Sequence, residues 1–158
     1  MEAARPATAD DVSRLAELYL QACEELLAFR GAELLVRREA YRQPVAESLN
    51  EALGDPDRTV WAGTIDDVVV GYAAGRVEAL PEGYRLGVIE DLYVEPEARS
   101  VGVGEALTDS IVAWFEARDC TGVDALALPG ARATKNFFEE SGFTARLLVM
   151  HRRLDGHG

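Results

Sequence analysis

Arg99-Ser100-Val101-Gly102-Val103-Gly104 joins the end of a predicted strand to the start of an amphipathic helix. At such a start the first backbone N–H groups have no intrahelical partner, and the helix N-terminus carries roughly half a positive charge. Glycines at 102 and 104 remove side chains that would hold a ligand away from the backbone, so the loop suits an anion such as a pyrophosphate. Arg99 adds a formal charge at the mouth, with a phosphate or a nearby carboxylate such as Glu97 as its partner. A dinucleotide-binding turn also begins Gly-x-Gly after a strand. Its third glycine would fall at Leu107, however, and its ribose-binding acid should close the next strand, whereas Asp124 opens one. No Lys-Ser/Thr pair follows the glycines, which excludes a Walker loop.

Other chemistries have little material. Cys23 and Cys120 are the only cysteines and show no ligand-like spacing, so they read as reduced, largely buried thiols. The only histidines are His151 and His157, the latter in a Gly-rich tail, and neither a zinc site nor a histidine-based triad can be assembled from them. No metal is expected. With 28 acidic against 16 basic residues, the net charge of −12 argues against a nucleic-acid partner. The same charge would steer a cationic amine favourably, although an acidic surface also serves solubility. No run approaches the roughly 20 apolar residues of a membrane span, and Met1-Glu2 does not begin a signal peptide. The expectation is a cytoplasmic protein with no membrane partner. At 158 residues, 48% apolar and 28% charged, the chain fits one globular domain over 1–158, with 155–158 as a loose tail.

The elements that must position the loop follow from periodicity. Ala3 to Ala7 reads as an edge strand, and Thr8 and Asp11 form a capping pair for a helix to about Phe29, in which Val12, Leu15, Ala16, Tyr19 and Cys23 recur at helical spacing. A second helix, Val36 to Leu53, is interrupted by Pro44 with a break near Gln43. Thr59 to Ile65, Val68 to Leu80 and Tyr84 to Val94 read as an antiparallel meander with turns at Asp66-Asp67 and Pro81-Glu82-Gly83. The helix from Gly102 to Arg118 carries Val103, Leu107, Ile111 and Phe115 on one stripe and covers the sheet. Val123 to Leu128 reads as a strand, Ala131 to Ser141 as a helix closed by Gly142, and Phe143 to Leu154 as a closing strand.

Ile89-Glu90-Asp91-Leu92-Tyr93-Val94-Glu95-Pro96-Glu97-Ala98-Arg99-Ser100-Val101-Gly102-Val103-Gly104-Glu105-Ala106-Leu107 closely resembles the acyl-CoA signature of the GNAT acetyltransferase superfamily. Phe137-Phe138-Glu139-Glu140-Ser141-Gly142-Phe143 resembles the helix-to-strand segment that follows in the same superfamily. With the order of elements, the resemblance runs from Ala3 to about Leu154. It implies an α+β, three-layer fold: a mixed, mostly antiparallel twisted sheet, splayed between its fourth and fifth strands and flanked by helices. It also implies acetyl-CoA as cosubstrate, wedged in the splay. Main-chain groups of Leu92 and Val94, beside Tyr93, would hold the acyl and pantetheine portion, the N–H near Val94 would polarise the thioester carbonyl, and the N–H groups of Ser100, Val101, Gly102, Val103, Gly104 and Glu105 would hold the pyrophosphate. Asn136 or Lys135 would reach the cofactor from the following helix.

An amine acceptor must lose a proton, so the site needs a base. Glu90 and Asp91 are the candidates: Ile-Glu-Asp is similar to the strand of polyamine acetyltransferases in the superfamily. Simple alternation places the two side chains on opposite faces unless a bulge breaks the register, and Glu90 is favoured. The alternative for each is a structural carboxylate paired with an arginine such as Arg85 or Arg146. Phe138 stands where the superfamily usually has a proton-donating tyrosine, and Ala131 where an Asn is often found. Tyr93 could substitute as acid only if its ring turned into the gap. Arg30, Arg37, Arg38 and Arg42 read as a solvated basic face or as the entrance for an anionic acceptor. The resulting expectation is an N-acetyltransferase acting on a small-molecule or peptide amine. The alternatives are a non-catalytic acyl-CoA-binding sensor, and transfer to a hydroxyl or of a longer acyl chain. Leu147-Leu148-Val149-Met150, more apolar than a half-buried strand requires, suggests a homodimer through the closing strands.

Overall fold

The computed structural model describes residues 1–37 and 44–156. Arg38, Arg42, the expected break at Gln43 and His157 lie outside the described residues. Five strands build one sheet: β1 (Glu2–Pro6), β2 (Arg58–Ile65), β3 (Val68–Ala79), β4 (Arg85–Val94) and β5 (Gly122–Ala125), in spatial order β1-β2-β3-β4-β5. Asp66 and Asp67 both adopt positive φ, 47° and 68°, the left-handed pair that closes a tight hairpin between β2 and β3. The first three junctions are antiparallel and β4–β5 is parallel, so the sheet is mixed and mostly antiparallel as expected.

Helices cover both faces. α1 (Val12–Leu26), α2 (Ala32–Leu35) and α3 (Val45–Gly54) lie on one side, α4 (Val103–Glu116) and α5 (Arg132–Glu140) on the other. Of the helix expected from Val36 to Leu53 with an interruption at Pro44, the described part is α3, whose start is capped by Pro44, a residue whose ring cannot continue a helix; α2 lies before Val36. Thr8 and Asp11 pair as expected, the Thr8 N–H donating to the Asp11 carboxylate at 2.8 Å, across a short 3-10 turn that leads into α1. Leu15, Leu18 and Tyr19 of α1 bury against Val60, Tyr72 and Ala74 of the sheet. Leu107, Ile111 and Phe115 of α4 bury against Ala73 and Ile89 on the opposite face. Each such fully buried side chain contributes about 1.5–3 kcal/mol. The sheet is therefore clamped between two apolar layers, and α4 holds its N-terminus in register with the end of β4.

Two sequence expectations need correction. Of the strand expected from Val123 to Leu128, only residues 123–125 join the sheet, as the end of β5, because pairing with β4 ends at Ile89 opposite Ala125 and Leu126 to Leu128 lie outside the strand. Phe143 to Leu154 is not a closing strand. It follows a left-handed Gly142 at φ 93° and runs without a ladder partner among the described residues. Its apolar side chains Leu147, Leu148, Val149 and Met150 are 69%, 79%, 83% and 88% exposed. Apolar composition gives a segment strand potential, but a strand also needs a neighbour for its N–H and C=O groups.

Candidate active site

The site begins with a break in the β3–β4 ladder. Asp91 pairs with Ala74 and Ile89 with the next residue, Gly75, so Glu90 is an extra residue on β4, a β-bulge. The bulge turns both carboxylates to one face. Ile89 and Leu92 pack towards α4, while Asp91 accepts a hydrogen bond from the Tyr72 hydroxyl on the α1 side, and Glu90 lines a small cavity with Tyr19, Ser48 and Leu49. Glu90 is 8% exposed, with Arg76 Nη1 at 3.6 Å. Arg85 and Arg146 are engaged elsewhere, Arg85 with the Arg118 carbonyl and Arg146 with Asp124. Tyr72 is held by Tyr19, the rings stacked with centroids 4.1 Å apart.

The two carboxylates set the local potential. Burial pushes the Tyr19 phenol well up, with the charges of Asp91 and Glu90 adding to the effect. The Cys23 thiol is pushed up to about 11 by burial and by Asp91. Groups that would become anionic are thus suppressed here, and the same field favours a cation. Both cysteines are free thiols. Among the described residues no group of three or more His, Cys, Asp or Glu side chains is placed to hold a metal.

Beyond Ile89, β4 continues to Val94 with no strand on its β5 side among the described residues. The divergence opens a cleft of about 440 Å³, counting its open mouth, in which Glu90, Asp91 and Leu92 face Leu126, Leu128 and Phe138. The Glu95 N–H bonds the Val70 carbonyl of β3 at 2.9 Å. Alternation then points the N–H and C=O groups of Leu92 and Val94 the other way, into the cleft. The Val94 carbonyl is taken by Arg99 Nε at 2.8 Å, which agrees with that direction. Tyr93 faces α1 instead: its hydroxyl donates to Gln21 at 3.3 Å, and burial raises its pKa, so its ring is not in the cleft.

The loop into α4 is wound by two left-handed residues, Ser100 at φ 68° and Gly102 at φ 100°. The first bond of α4 runs from Ala106 N–H to the Gly102 carbonyl at 3.0 Å. The N–H groups of Val103, Gly104 and Glu105 therefore precede the intrahelical ladder and form an anion-binding end. The glycines have a second reason. A Cβ on Gly102 would meet Glu2 at 3.1 Å, and one on Gly104 would meet the Phe137 ring at 3.2 Å, so they serve the positive φ and the close α4–α5 approach. Arg99 is paired with Glu25 of α1 at 2.8 Å, not Glu97, and its guanidinium lies 5.5 Å above the Tyr93 ring. It pins the loop to β4 and α1.

Of the residues singled out by sequence, the structure brings Glu90, Asp91, Leu92 and Phe138 into one cleft. Val94 is buried, Val101 and Glu105 at the mouth of α4 are exposed, and Val103 anchors that helix in the core. Asn136 is exposed on α5 and is not part of the cleft lining, and Lys135 pairs with Glu139. Phe138 is 6% exposed, packed edge-on against Phe137 and Phe143. Sequence reasoning missed Leu26, Leu35 and Thr134 in the cleft wall. Thr134 had a signal, lying one helical turn before Phe138; the two leucines had none, because their place depends on how α1 and α2 dock.

The sequence profile of the Acetyltransferase (GNAT) family matches residues 14–143. None of the curated proteins compared with the chain matches it. Among solved structures, the tetramutant of the BH1408 protein from Bacillus halodurans is similar, with TM-score 0.79, 19% identity, and 96% of this chain and 99% of that chain covered. A predicted acetyltransferase from Clostridium acetobutylicum, solved with acetyl-CoA, has TM-score 0.74 and 18% identity over 99% of both chains. The aminoglycoside N-acetyltransferase AAC(6')-Iy in complex with CoA has TM-score 0.75 and 16% identity, over 98% of this chain and 95% of that one. These likenesses show a shared fold, and the profile match spans the bulge, the α4 loop and α5. The chain belongs to the Acetyltransferase (GNAT) family.

Proposed function

We propose that this chain transfers an acetyl group from acetyl-CoA to a primary amine, on a small molecule or a peptide, by direct attack. The observation that carries the reading is the bulge at Glu90, which turns both carboxylates to one face and into the cleft where β4 loses its neighbour. Support comes from the resident ligands of two similar structures, acetyl-CoA and CoA, and from the amine acceptor in the name of the second.

Bound acetyl-CoA supplies an activated acyl carbon and a thiolate leaving group. Val103, Gly104 and Glu105 offer backbone N–H groups to its pyrophosphate, and the cleft-facing main chain of Leu92 and Val94 offers strand-like hydrogen bonds to the pantetheine and acyl portion. The Val94 N–H donates to the thioester carbonyl as charge develops on it. Glu90 accepts the proton from the attacking amine, directly or through a water, as the N–C bond forms and the C–S bond breaks. Asp91, held by Tyr72, contributes negative potential that attracts the cationic form of the acceptor. Phe138 offers no proton, so water protonates the thiolate, a tolerable leaving group because its pKa is near that of cysteine. The buried Phe138 also favours a second reading, an acyl-CoA-binding sensor without turnover.

Calorimetric titration with acetyl-CoA tests the site. Val101, 47% exposed at the mouth of α4, is replaced by Val101→Glu to set a carboxylate beside the proposed pyrophosphate without touching a glycine. Affinity should fall about tenfold or more, since about 1.4 kcal/mol of repulsion between that carboxylate and the pyrophosphate is enough for that. Equal affinity in the variant, or no binding to the intact chain, refutes the cofactor site. Thiol release with a panel of amines then separates enzyme from sensor: binding without turnover on any amine supports the sensor.

A further inference from the structure

The two faces of the cleft differ in chemistry. The N–H groups assigned to the pyrophosphate lie at the start of α4, and α5 brings Thr134 and Phe138 to that same side of the sheet, so a cofactor held there comes in along it. An acceptor must then reach the thioester from the opposite side, where α1 and α2 lie. There Leu26 and Leu35 of these two helices form the wall, with Leu126 and Leu128 beyond the end of β5. The turn between α1 and α2 closes onto the same segment: a Cβ on Gly31 would lie 3.6 Å from Leu128 Cδ2, and one on Gly130 would lie 3.5 Å from Phe29 Cδ1. Among the described residues, Glu90 and Asp91 are the only charged side chains that line the cleft, and Thr134, on the cofactor side, is the only uncharged polar one. Arg30 and Arg37 are exposed and do not line it.

We infer that the acceptor is a small primary amine carried on an apolar alkyl or aryl group. The inference rests on the proposed acetyl transfer and adds the class of substrate. The two carboxylates draw in the ammonium form, which gives up one proton to become the attacking amine, while the apolar body stays among the leucines. A second proton goes to Glu90 as the N–C bond forms and the C–S bond breaks, and water protonates the thiolate. More polar acceptors lack partners. A second ammonium, as in a polyamine, would lie against leucines, and the hydroxyls of an aminoglycoside would lose their water with only Thr134 to bond them. The cleft, about 440 Å³ with its mouth, must also take the thioester end of the cofactor, which limits the acceptor to about the size of a hexyl or phenethyl group.

Thiol release from acetyl-CoA is measured with ethylamine, butylamine, hexylamine and phenethylamine, and with spermidine and kanamycin as polar alternatives. The alkyl amines share almost the same basicity, so their series reads burial. For them kcat/KM should rise roughly fourfold with each methylene added, and hexylamine and phenethylamine should exceed spermidine and kanamycin by about tenfold or more. Leu126→Asn, at a position 41% exposed that the fold can spare, should flatten the series, and so should Leu35→Asn. Calorimetry of the same alkyl amines on the CoA-loaded protein reads recognition without turnover. A flat or falling series, a series unchanged in both folded variants, or a preference for spermidine or kanamycin overturns the inference and leaves acetyl transfer standing. Hexylamine binding tighter than ethylamine, with no turnover of any amine, refutes the transfer and upholds the recognition. Neither binding nor turnover of the apolar amines overturns the inference.

Discussion

Gly87→Ala tests how α4, and with it the loop that precedes it, is held on the sheet. Gly87 sits in β4 beneath α4, and a Cβ built on it would lie 2.6, 2.7 and 2.8 Å from three ring carbons of Phe115. On β3, Gly75 meets the same ring, with its Cβ 2.8 Å from Phe115 Cζ. Phe115 is fully buried and has Trp114 edge-on at 5.4 Å, so it cannot swing aside freely. Relieving the clash needs a retreat of roughly 1 Å, and overpacking of this kind costs about 1–3 kcal/mol. Restricting the unfolded chain at a former glycine returns about 0.4–1 kcal/mol. The net loss is about 1–2 kcal/mol, or a Tm lower by about 2–8 °C for a chain of this length. Differential scanning calorimetry reads the shift. Adding Phe115→Leu should recover part of it, so the double variant should be less destabilised than the sum of the singles by about 0.5 kcal/mol or more. Acetyl-CoA affinity should fall in Gly87→Ala and recover in step, because the lifted helix carries the Val103–Glu105 amides. A Tm at or above wild type, or strict additivity of the two substitutions, refutes the account of α4 docking.

Glu90→Gln keeps the size of the side chain and removes its charge; kcat should fall about 10²–10⁴-fold with acetyl-CoA affinity nearly unchanged, and an unchanged kcat would sink its assignment as base. Asp91→Ala removes the acceptor of the fully buried Tyr72 hydroxyl and should cost about 1–3 kcal/mol of stability, with a smaller effect on kcat than Glu90→Gln. Arg5 donates two hydrogen bonds to Asp11, at 2.7 and 2.9 Å, and holds its carboxyl at about 2 against 3.8 unperturbed. Its folded pKa is depressed, so its stabilisation is present above pH 4 and lost as the pH falls towards 2. With Arg5 45% exposed, screening reduces that stabilisation to about 1–2 kcal/mol. Thermal melts of wild type and Asp11→Asn should therefore differ at pH 6 and converge near pH 2; a constant difference across that range refutes the link.

What the sequence revealed and what it hid divide along the range of the interactions. The α4 loop was legible because its parts are local: a strand end, two glycines and an apolar stripe at helical spacing describe an exposed helix start without reference to the rest of the chain. The bulge at Glu90 was not, since Val-Ile-Glu-Asp-Leu-Tyr-Val satisfies a period of two in either register and only pairing with Ala74 and Gly75 of β3 selects the extra residue. Arg99 was read with a phosphate or the nearby Glu97 as its partner; Glu25, the carboxylate it pairs with, lies 74 positions away on α1. The closing strand failed for the same reason in a sharper form, because Leu147 to Met150 have the composition of a strand and no ladder partner among the described residues.

The same distinction explains why the cleft is where it is. Val123 to Leu128 is apolar apart from Asp124, and nothing local says that pairing should stop at Ala125. It stops because Glu90, the next residue of β4, is the bulge: the extra residue reorients the strand just where a parallel neighbour would have to follow it. One local defect therefore does two things. It turns two carboxylates to the same face, and it frees the main chain from Leu92 to Val94 from a neighbour on that side. The base and the backbone donors assigned to the reaction thus have one structural cause. Their positions should respond together to any substitution that restores a regular β3–β4 register.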